Sequence, residues 1–183
     1  LETNTYKPKH IPKYIIGHTR YSTSGLKSNK EIQPFSGYNN TLGKFCFTFN
    51  GNIPYLNKYK DLVPNFILEE NYLDTYFIKK FFENPFHNSW EKLCEKFVKE
   101  VEKAYCIVLL TTNGLYTIRD SYGVRPLCIG QNKKNFCISS ESCALLKYKY
   151  VRYIKPGELI HIKEDKLTSI DIFSKKITAN CLF

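Results

Sequence analysis

Two polar stretches contain the residues whose types and spacing could bind a small polar ligand. The first, residues 16–25, places a histidine, an arginine and several hydroxyl side chains directly after an apolar segment. The second, residues 49–52, ends an alternating strand pattern in the turn-forming pair Asn50-Gly51. Both are predicted strand-to-loop junctions, where side chains and backbone N–H groups are presented to a ligand on a rigid scaffold. The sequence therefore predicts a site for a small polar substrate at these junctions.

The elements that must position these residues differ in the strength of their patterns. Three phenylalanines alternate on one face of a predicted strand over 44–49, which leads into the second junction. Residues 14–16 predict a short buried strand that leads into the first. Residues 24–40 are rich in Ser, Asn, Gly and Lys and predict a long loop, a kind of segment that tends to be functional.

The remaining pattern predicts an antiparallel α+β layered fold. One helix begins near Asp74 and is stopped by Pro85, and a second follows Ser89 as N-cap with apolar residues at helical spacing to Val101. Asn113-Gly114 is a strong hairpin signal. Further strands are predicted at 105–110, 115–118, 127–129, 136–139, 158–162 and 167–172, with a short helix at 143–147. The absence of strict β-α alternation favours antiparallel layers.

Composition excludes some classes of function. The chain has 183 residues, a length typical of a single domain. It contains no run of about 20 apolar residues and no signal-peptide pattern. The formal net charge is +10, from 27 Lys plus Arg against 17 Asp plus Glu, so a nucleic-acid-binding surface is an alternative. The basic residues are scattered without a recognition module, which favours a solvated surface and no nucleic-acid or membrane partner.

The seven cysteines favour a reducing compartment. An odd number in a domain of this size argues against a disulfide framework, and none forms a C-x-x-C pair. Most lie in apolar runs, where a free thiol behaves as a small hydrophobe. No zinc-type spacing occurs among them. They are Cys46, Cys94, Cys106, Cys128, Cys137, Cys143 and Cys181. We therefore expect a cytoplasmic protein.

Three ordered blocks resemble the glutaminase domain of class II glutamine amidotransferases. These blocks are residues 16–25, the Gln-Pro-Phe at 33–35 and the Asn-Gly-Asn at 50–52. That family belongs to the N-terminal-nucleophile hydrolases, so the resemblance implies an α+β fold, a four-layer αββα sandwich. Glucosamine-phosphate synthases share only the blocks in the first part of this sequence. That type of amidotransferase stays an alternative.

Later blocks are similar specifically to the amidophosphoribosyltransferase family. They are residues 119–127, 139–144 and 151–158, and residues 179–183 resemble the segment that precedes the phosphoribosyltransferase domain. In that family, ammonia from glutamine reacts with phosphoribosyl pyrophosphate to form 5-phosphoribosylamine in purine (IMP) biosynthesis. The resemblance implies that residues 1–183 are a glutaminase domain, truncated at both ends of the parent protein and missing its first strands.

The resemblance also implies roles for individual residues. Asn50 and Gly51 match the oxyanion hole, although an Asn-Gly pair is otherwise an ordinary hairpin turn. Arg20 matches the arginine that holds the α-carboxylate of glutamine, a group that a guanidinium binds bidentately, and Thr23 adds substrate contacts. Asp74 matches the residue that holds the α-ammonium, although an aspartate at a helix start is commonly an N-cap.

The sequence departs from the family pattern at the nucleophile and at three neighbouring positions. The family's nucleophile is an N-terminal cysteine, and no residue of this chain matches it because the first residue is Leu1. We therefore predict that the fragment alone is inactive. Phe49 stands where family members commonly have histidine. Leu73 stands where serine is usual, and Tyr76 stands where glutamate is common. The departures at Phe49 and Leu73 motivate the alternative of a non-catalytic glutamine-binding module.

Cofactors and partners follow from the resemblance alone. We expect L-glutamine as ligand, phosphoribosyl pyrophosphate acting through a domain outside the fragment, and a homo-oligomer. No cofactor is expected within the fragment, whereas Mg²⁺ is implied for the phosphoribosyltransferase domain. Cys181 matches a position that ligates a [4Fe-4S] cluster in some family members.

Overall fold

The computed structural model describes residues 11–19, 32–63 and 73–173. Its strands are β1 (Phe35–Asn39), β2 (Gly43–Asn52), β3 (Ala104–Thr111), β4 (Gly114–Arg119), β5 (Cys128–Asn132), β6 (Asn135–Ser139), β7 (Lys149–Tyr153), β8 (Glu158–Lys163) and β9 (Lys166–Asp171). Its helices are α1 (Asp74–Glu83), α2 (Trp90–Glu100) and two 3-10 helices, Leu56–Leu62 and Ser142–Leu145. No helix among the described residues combines the length and the apolar composition that crossing a membrane requires.

A six-stranded antiparallel sheet in the order β1-β2-β3-β4-β8-β9 carries the helices on one face. The three alternating phenylalanines of β2 share one face, as predicted, and that face is buried against α1 and α2. Phe97 of α2 meets Phe81 of α1 edge-on, with ring centroids 5.0 Å apart. This aromatic core fixes the face of β2 that points to the helices, so the alternate residues of β2 face the opposite side.

A three-stranded antiparallel sheet in the order β6-β5-β7 covers that opposite side. Cys106 and Ile160 of the larger sheet pack with Leu127 and Ile129 in a second core between the sheets. The described residues therefore form three layers: helices, a large sheet and a small sheet. The 3-10 helix Ser142–Leu145 contacts the small sheet.

The loop between β4 and β5 is held by two charged side chains. The Arg119 guanidinium donates to the backbone carbonyls of Arg125 at 2.7 Å, Ile154 at 2.5 Å and Gly123 at 2.5 Å. The buried Asp120 carboxylate accepts the backbone N–H of Gly123 at 2.8 Å. Burial raises the pKa of Asp120, and the backbone N–H groups around it oppose that rise. These contacts fix the backbone that presents Arg125.

Two predictions about local structure are wrong. Residues 14–16 form no strand, and Ile15 is 75% exposed, because this apolar triplet pairs with no strand among the described residues. Within the predicted loop 24–40, residues 35–39 form β1, which pairs with β2. Its Gly and Asn content argues against a strand, and its pairing with β2 overrides that local preference.

Candidate active site

A cavity of about 880 Å³ lies between the two sheets, at the end of β2 and the start of α1. Its lining therefore comes from strand ends and from the start of a helix. Its lining includes Gly17, His18, Thr19, Gln33, Thr48, Asn50, Gly51, Asp74, Cys106, Arg125, Ile138 and Ser139. The structure therefore brings together three of the predicted site residues, Asn50, Gly51 and Asp74.

Asn50 and Gly51 are among the last three residues of β2. Asn50 is opposite Cys106 on β3, and Gly51 is opposite Tyr105. The alternative of a hairpin turn at this Asn-Gly is wrong, because both residues are part of the paired strand. A Cβ atom on Gly51 would lie 2.5 Å from the carbonyl oxygen of Ala104, so no side chain fits there.

Gln33 clamps the strand just before Asn50. Its side-chain Nε2 donates to the carbonyl of Phe49 at 3.2 Å, and its Oε1 accepts the Phe49 N–H at 2.6 Å. The two bonds fix the backbone that leads into the predicted oxyanion donors. In the sequence, Gln33 was part of the Gln-Pro-Phe block and had no role of its own. The one signal for its role is its chemistry, because an amide side chain before Pro34 can both donate and accept hydrogen bonds.

The departure at Phe49 leaves Asn50 in place. The Phe49 side chain is buried in the core between β2 and the helices. Because successive strand residues point to opposite faces, Asn50 is directed toward the cavity side of the sheet. A phenylalanine at this position therefore extends the aromatic core and does not displace the amide of Asn50.

Asp74 is the first residue of α1, and Leu73 is the N-cap, so the interpretation of Asp74 as an N-cap is wrong. One carboxylate oxygen accepts the N–H of Thr75 at 2.8 Å and the other accepts the N–H of Ile53 at 3.4 Å. Burial raises the pKa of Asp74, and these two N–H groups oppose the rise. A carboxylate held this way at the cavity wall is suited to bind an ammonium group.

The cysteine on the cavity wall is not an activated nucleophile. Burial raises the pKa of Cys106 to about 12, against the opposing charges of Arg119 and Arg125. Its thiol donates to the carbonyls of Arg125 at 3.6 Å and Pro126 at 3.7 Å. Nucleophilic attack requires the thiolate, so Cys106 has a structural role.

Three predicted residues, Arg20, Thr23 and Cys181, lie outside the described residues. Among the described residues, no group of three or more His, Cys, Asp or Glu side chains is arranged to hold a metal ion. Two side chains that sequence reasoning left without a role, Gln33 and Arg125, line the cavity with the predicted ones.

The chain is similar to known glutamine amidotransferases over most of its length. Residues 18–147 match the glutamine amidotransferase domain family. The chain is 31% identical over 178 residues to amidophosphoribosyltransferase of Methanocaldococcus jannaschii, covering 92% of this chain and 38% of the relative. It is 33% identical over 197 residues to amidophosphoribosyltransferase 1, chloroplastic, of Arabidopsis thaliana, covering 98% and 32%. The chain thus spans about a third of the length of the curated relatives it matches.

Solved structures show the same fold. Glutamine phosphoribosylpyrophosphate amidotransferase from B. subtilis superposes with a TM-score of 0.78 at 22% identity, covering 90% of this chain and 36% of that one. A structure described as the allosteric regulatory enzyme of purine biosynthesis gives a TM-score of 0.79, also at 22% identity, with the same coverage of both chains. The likeness confirms the predicted α+β sandwich fold, of whose four predicted layers the described residues form three. With the domain match over residues 18–147, it follows that this chain belongs to the glutamine amidotransferase domain family.

Proposed function

We propose that this chain is the glutaminase part of an amidophosphoribosyltransferase, and that residues 1–183 act as one glutaminase domain. The observation that carries the proposal is the placement of Asn50 and Gly51 at the end of β2, facing the same cavity as Asp74. In the parent protein, ammonia from glutamine reacts with phosphoribosyl pyrophosphate to give 5-phosphoribosylamine in purine biosynthesis.

The proposed chemistry assigns one task to each group. The Asn50 side-chain amide and the Gly51 N–H donate to the oxyanion that develops at the glutamine amide, worth roughly 3–4 kcal/mol per donor by analogy with other amide hydrolases. Asp74 binds the α-ammonium, and Arg20 binds the α-carboxylate with Thr23 beside it. The nucleophile is the cysteine at the start of the mature protein, activated by its own α-amino group.

The remaining parts of the proposal concern the parent protein. Mg²⁺ acts with phosphoribosyl pyrophosphate in the phosphoribosyltransferase domain, and the complete protein is a cytoplasmic homo-oligomer. Cys181 is one candidate ligand of a [4Fe-4S] cluster in the complete protein.

The test is an assay of the complete gene product, including the sequence on both sides of the present chain. We expect glutamate from glutamine, and phosphoribosylamine only when phosphoribosyl pyrophosphate is supplied. Ammonia transfer to a hexose phosphate instead would identify the glucosamine-phosphate type of amidotransferase. Glutamine binding without glutamate formation would overturn the enzymatic proposal and identify a binding module.

A further inference from the structure

Arg125 is a charged cavity residue to which the proposed chemistry gives no task. Its side chain lies on the wall formed by the β4–β5 loop and the small sheet. The Nε atom is buried and has no hydrogen-bond partner among the described residues. A donor of a charged group without an acceptor is costly. No carboxylate among the described residues pairs with this guanidinium, so an anionic ligand in the cavity meets no competing partner there.

The backbone of Arg125 is fixed, so the unpaired Nε is not the result of a loose surface loop. The Arg125 carbonyl accepts from the Arg119 guanidinium at 2.7 Å and from the Cys106 thiol at 3.6 Å. The Asp120 carboxylate holds the preceding turn through backbone N–H groups. The loop therefore presents Arg125 to the cavity from a rigid base.

The position of Arg125 relative to β2 identifies the end of the ligand that it meets. The Cys106 thiol donates to the Arg125 carbonyl, and the positive charge of Arg125 acts to lower the pKa of that thiol. Cys106 is opposite Asn50 in the β2–β3 ladder. Asp74 instead contacts the N–H of Ile53, three residues further along the chain. Arg125 thus lies beside the strand position of the proposed oxyanion donors, whereas Asp74 meets the chain just beyond the end of β2.

We propose that Arg125 binds the side-chain carboxylate of glutamate and so retains the product of amide hydrolysis in the cavity. The proposal rests on the proposed function, in which water replaces the amide nitrogen of glutamine and ammonia leaves. Hydrolysis turns a neutral amide into a carboxylate at the end of the ligand where Arg125 lies. A guanidinium forms stronger hydrogen bonds with a carboxylate than with a neutral amide, so Arg125 distinguishes product from substrate.

The test compares the inhibition constant of glutamate with the KM of glutamine in the complete protein. In Arg125→Gln, we expect the inhibition constant of glutamate to rise about tenfold, equivalent to roughly 1.4 kcal/mol. The KM of glutamine should change less than about threefold, because a neutral amide gains little from the guanidinium. Arg125→Lys, which keeps the charge without the planar fork, should lie between the two. Lys149→Gln removes one positive charge from exposed β7 and should leave both constants unchanged.

A second measurement uses the unaltered protein. In a ¹⁵N spectrum of the arginine Nε–H groups, the Arg125 signal, identified by its loss in Arg125→Lys, should move on addition of glutamate and much less with glutamine. This readout holds even where Arg125→Gln fails to fold.

Two outcomes would overturn the proposal. One is a folded Arg125→Gln protein with an unchanged inhibition constant of glutamate. The other is an Arg125 Nε signal that does not respond to glutamate, which would give Arg125 a purely structural role. Wild-type protein without glutaminase activity would instead contradict the proposed function, so the two failures are distinguishable.

Discussion

At the scale of single residues, Asp74 combines an unfavourable buried environment with two backbone N–H partners. Replacing it with Asn keeps the shape of the side chain and removes the charge that is proposed to bind the α-ammonium group of glutamine. We expect Asp74→Asn to raise the KM for glutamine by roughly 10- to 100-fold, since a hydrogen bond to a charged group contributes roughly 1.5–3 kcal/mol. Steady-state kinetics of the complete protein measures this change, and an unaltered KM would contradict the ammonium-binding role.

The raised pKa of Asp74 also gives the sign of its pH dependence. A carboxyl with a raised pKa takes up its proton at a higher pH than an ordinary aspartate does. Glutamine binding should therefore weaken on acidification at a pH above the ordinary aspartate range, and the Asp74→Asn variant should lack that part of the profile.

Gly51 tests whether backbone placement controls the oxyanion donors. A Cβ at this position would meet the backbone of Ala104 and Tyr105 at 2.5–2.8 Å, so the end of β2 must move away from β3. We expect Gly51→Ala to lower kcat about 100-fold or more, because a displaced N–H no longer meets the oxyanion. The comparison is the unaltered protein, assayed under the same conditions. A folded Gly51→Ala variant with an unchanged kcat would exclude the proposed role of the Gly51 N–H.

The sequence identified cavity residues that belong to recognisable motifs, and it did not identify those whose place depends on distant partners. Asn50, Gly51 and Asp74 were recognisable from local blocks, and the structure places them on one cavity. Gln33 gains its role from Phe49, 16 residues away, and that pairing exists only in the folded chain. Arg125 gains its place from a loop held by contacts that span both sheets.

At the scale of elements, α2 depends on the N-cap that its sequence predicted. The Ser89 hydroxyl accepts the N–H of Lys92 at 3.2 Å. Ser89→Ala should lower the free energy of unfolding by about 1 kcal/mol, because one N–H of the first helical turn loses its partner. Urea denaturation measures the change, with Ser142→Ala at the exposed start of a 3-10 helix as the control. Equal stabilities of the two variants would exclude this contribution of the cap.

Elements with a strong local period were predictable, and elements formed by tertiary pairing were not. The periodic helix α2 and the β3–β4 hairpin at Asn113-Gly114 agree with their signals. Strand β1 instead depends on its neighbour, because the Phe45 ring fills the space where a Cβ of Gly37 would lie. A glycine that weakens a strand in isolation is here the residue that lets an aromatic ring pack across it.

At the scale of the whole molecule, a buried ion pair makes stability depend on acid pH. The Glu158 side chain is fully buried, and its carboxylate accepts two bonds from the Arg152 guanidinium, at 2.7 and 2.8 Å. It also accepts the Lys155 N–H and the Ser169 hydroxyl. Burial works to raise the pKa of Glu158, but these hydrogen bonds outweigh burial and lower it.

A lowered carboxyl pKa stabilises the folded state above the ordinary glutamate pKa, and the stabilisation is lost as the pH falls through the folded value. Glu158→Gln should reduce the free energy of unfolding at neutral pH by about 2–3 kcal/mol, below the range for a fully buried pair because Arg152 is 35% exposed. It should also flatten the acid limb of a stability–pH curve. Glu164→Gln, which removes one partner of an exposed ion pair, should change neither the free energy of unfolding nor the acid limb. An unchanged acid limb in Glu158→Gln would contradict the proposed contribution of Glu158 to stability.

The layered architecture could be predicted from the sequence, whereas the size of each layer could not. Short strands with turn signals indicated antiparallel layers, and the motif resemblance indicated the sandwich. The partition into six and three strands depends on which edges pair, as β4 pairs with β8 across nearly forty residues of chain. Local periodicity carries no information about such pairings.

The placement of Asn50 before Gly51 has a consequence for chemical ageing. An asparagine followed by glycine deamidates when the next backbone nitrogen attacks the side-chain carbonyl carbon, and the extended, paired backbone of β2 keeps those two atoms apart. Asn113-Gly114 lies at a turn, with Gly114 at a positive φ of 118°. During storage, peptide mapping by mass spectrometry should therefore detect deamidation at Asn113 before Asn50. Once the end of β2 opens, conversion of Asn50 would place a carboxylate where the proposed oxyanion donor stands, so the opening rate of one strand end would set how long the proposed site survives storage.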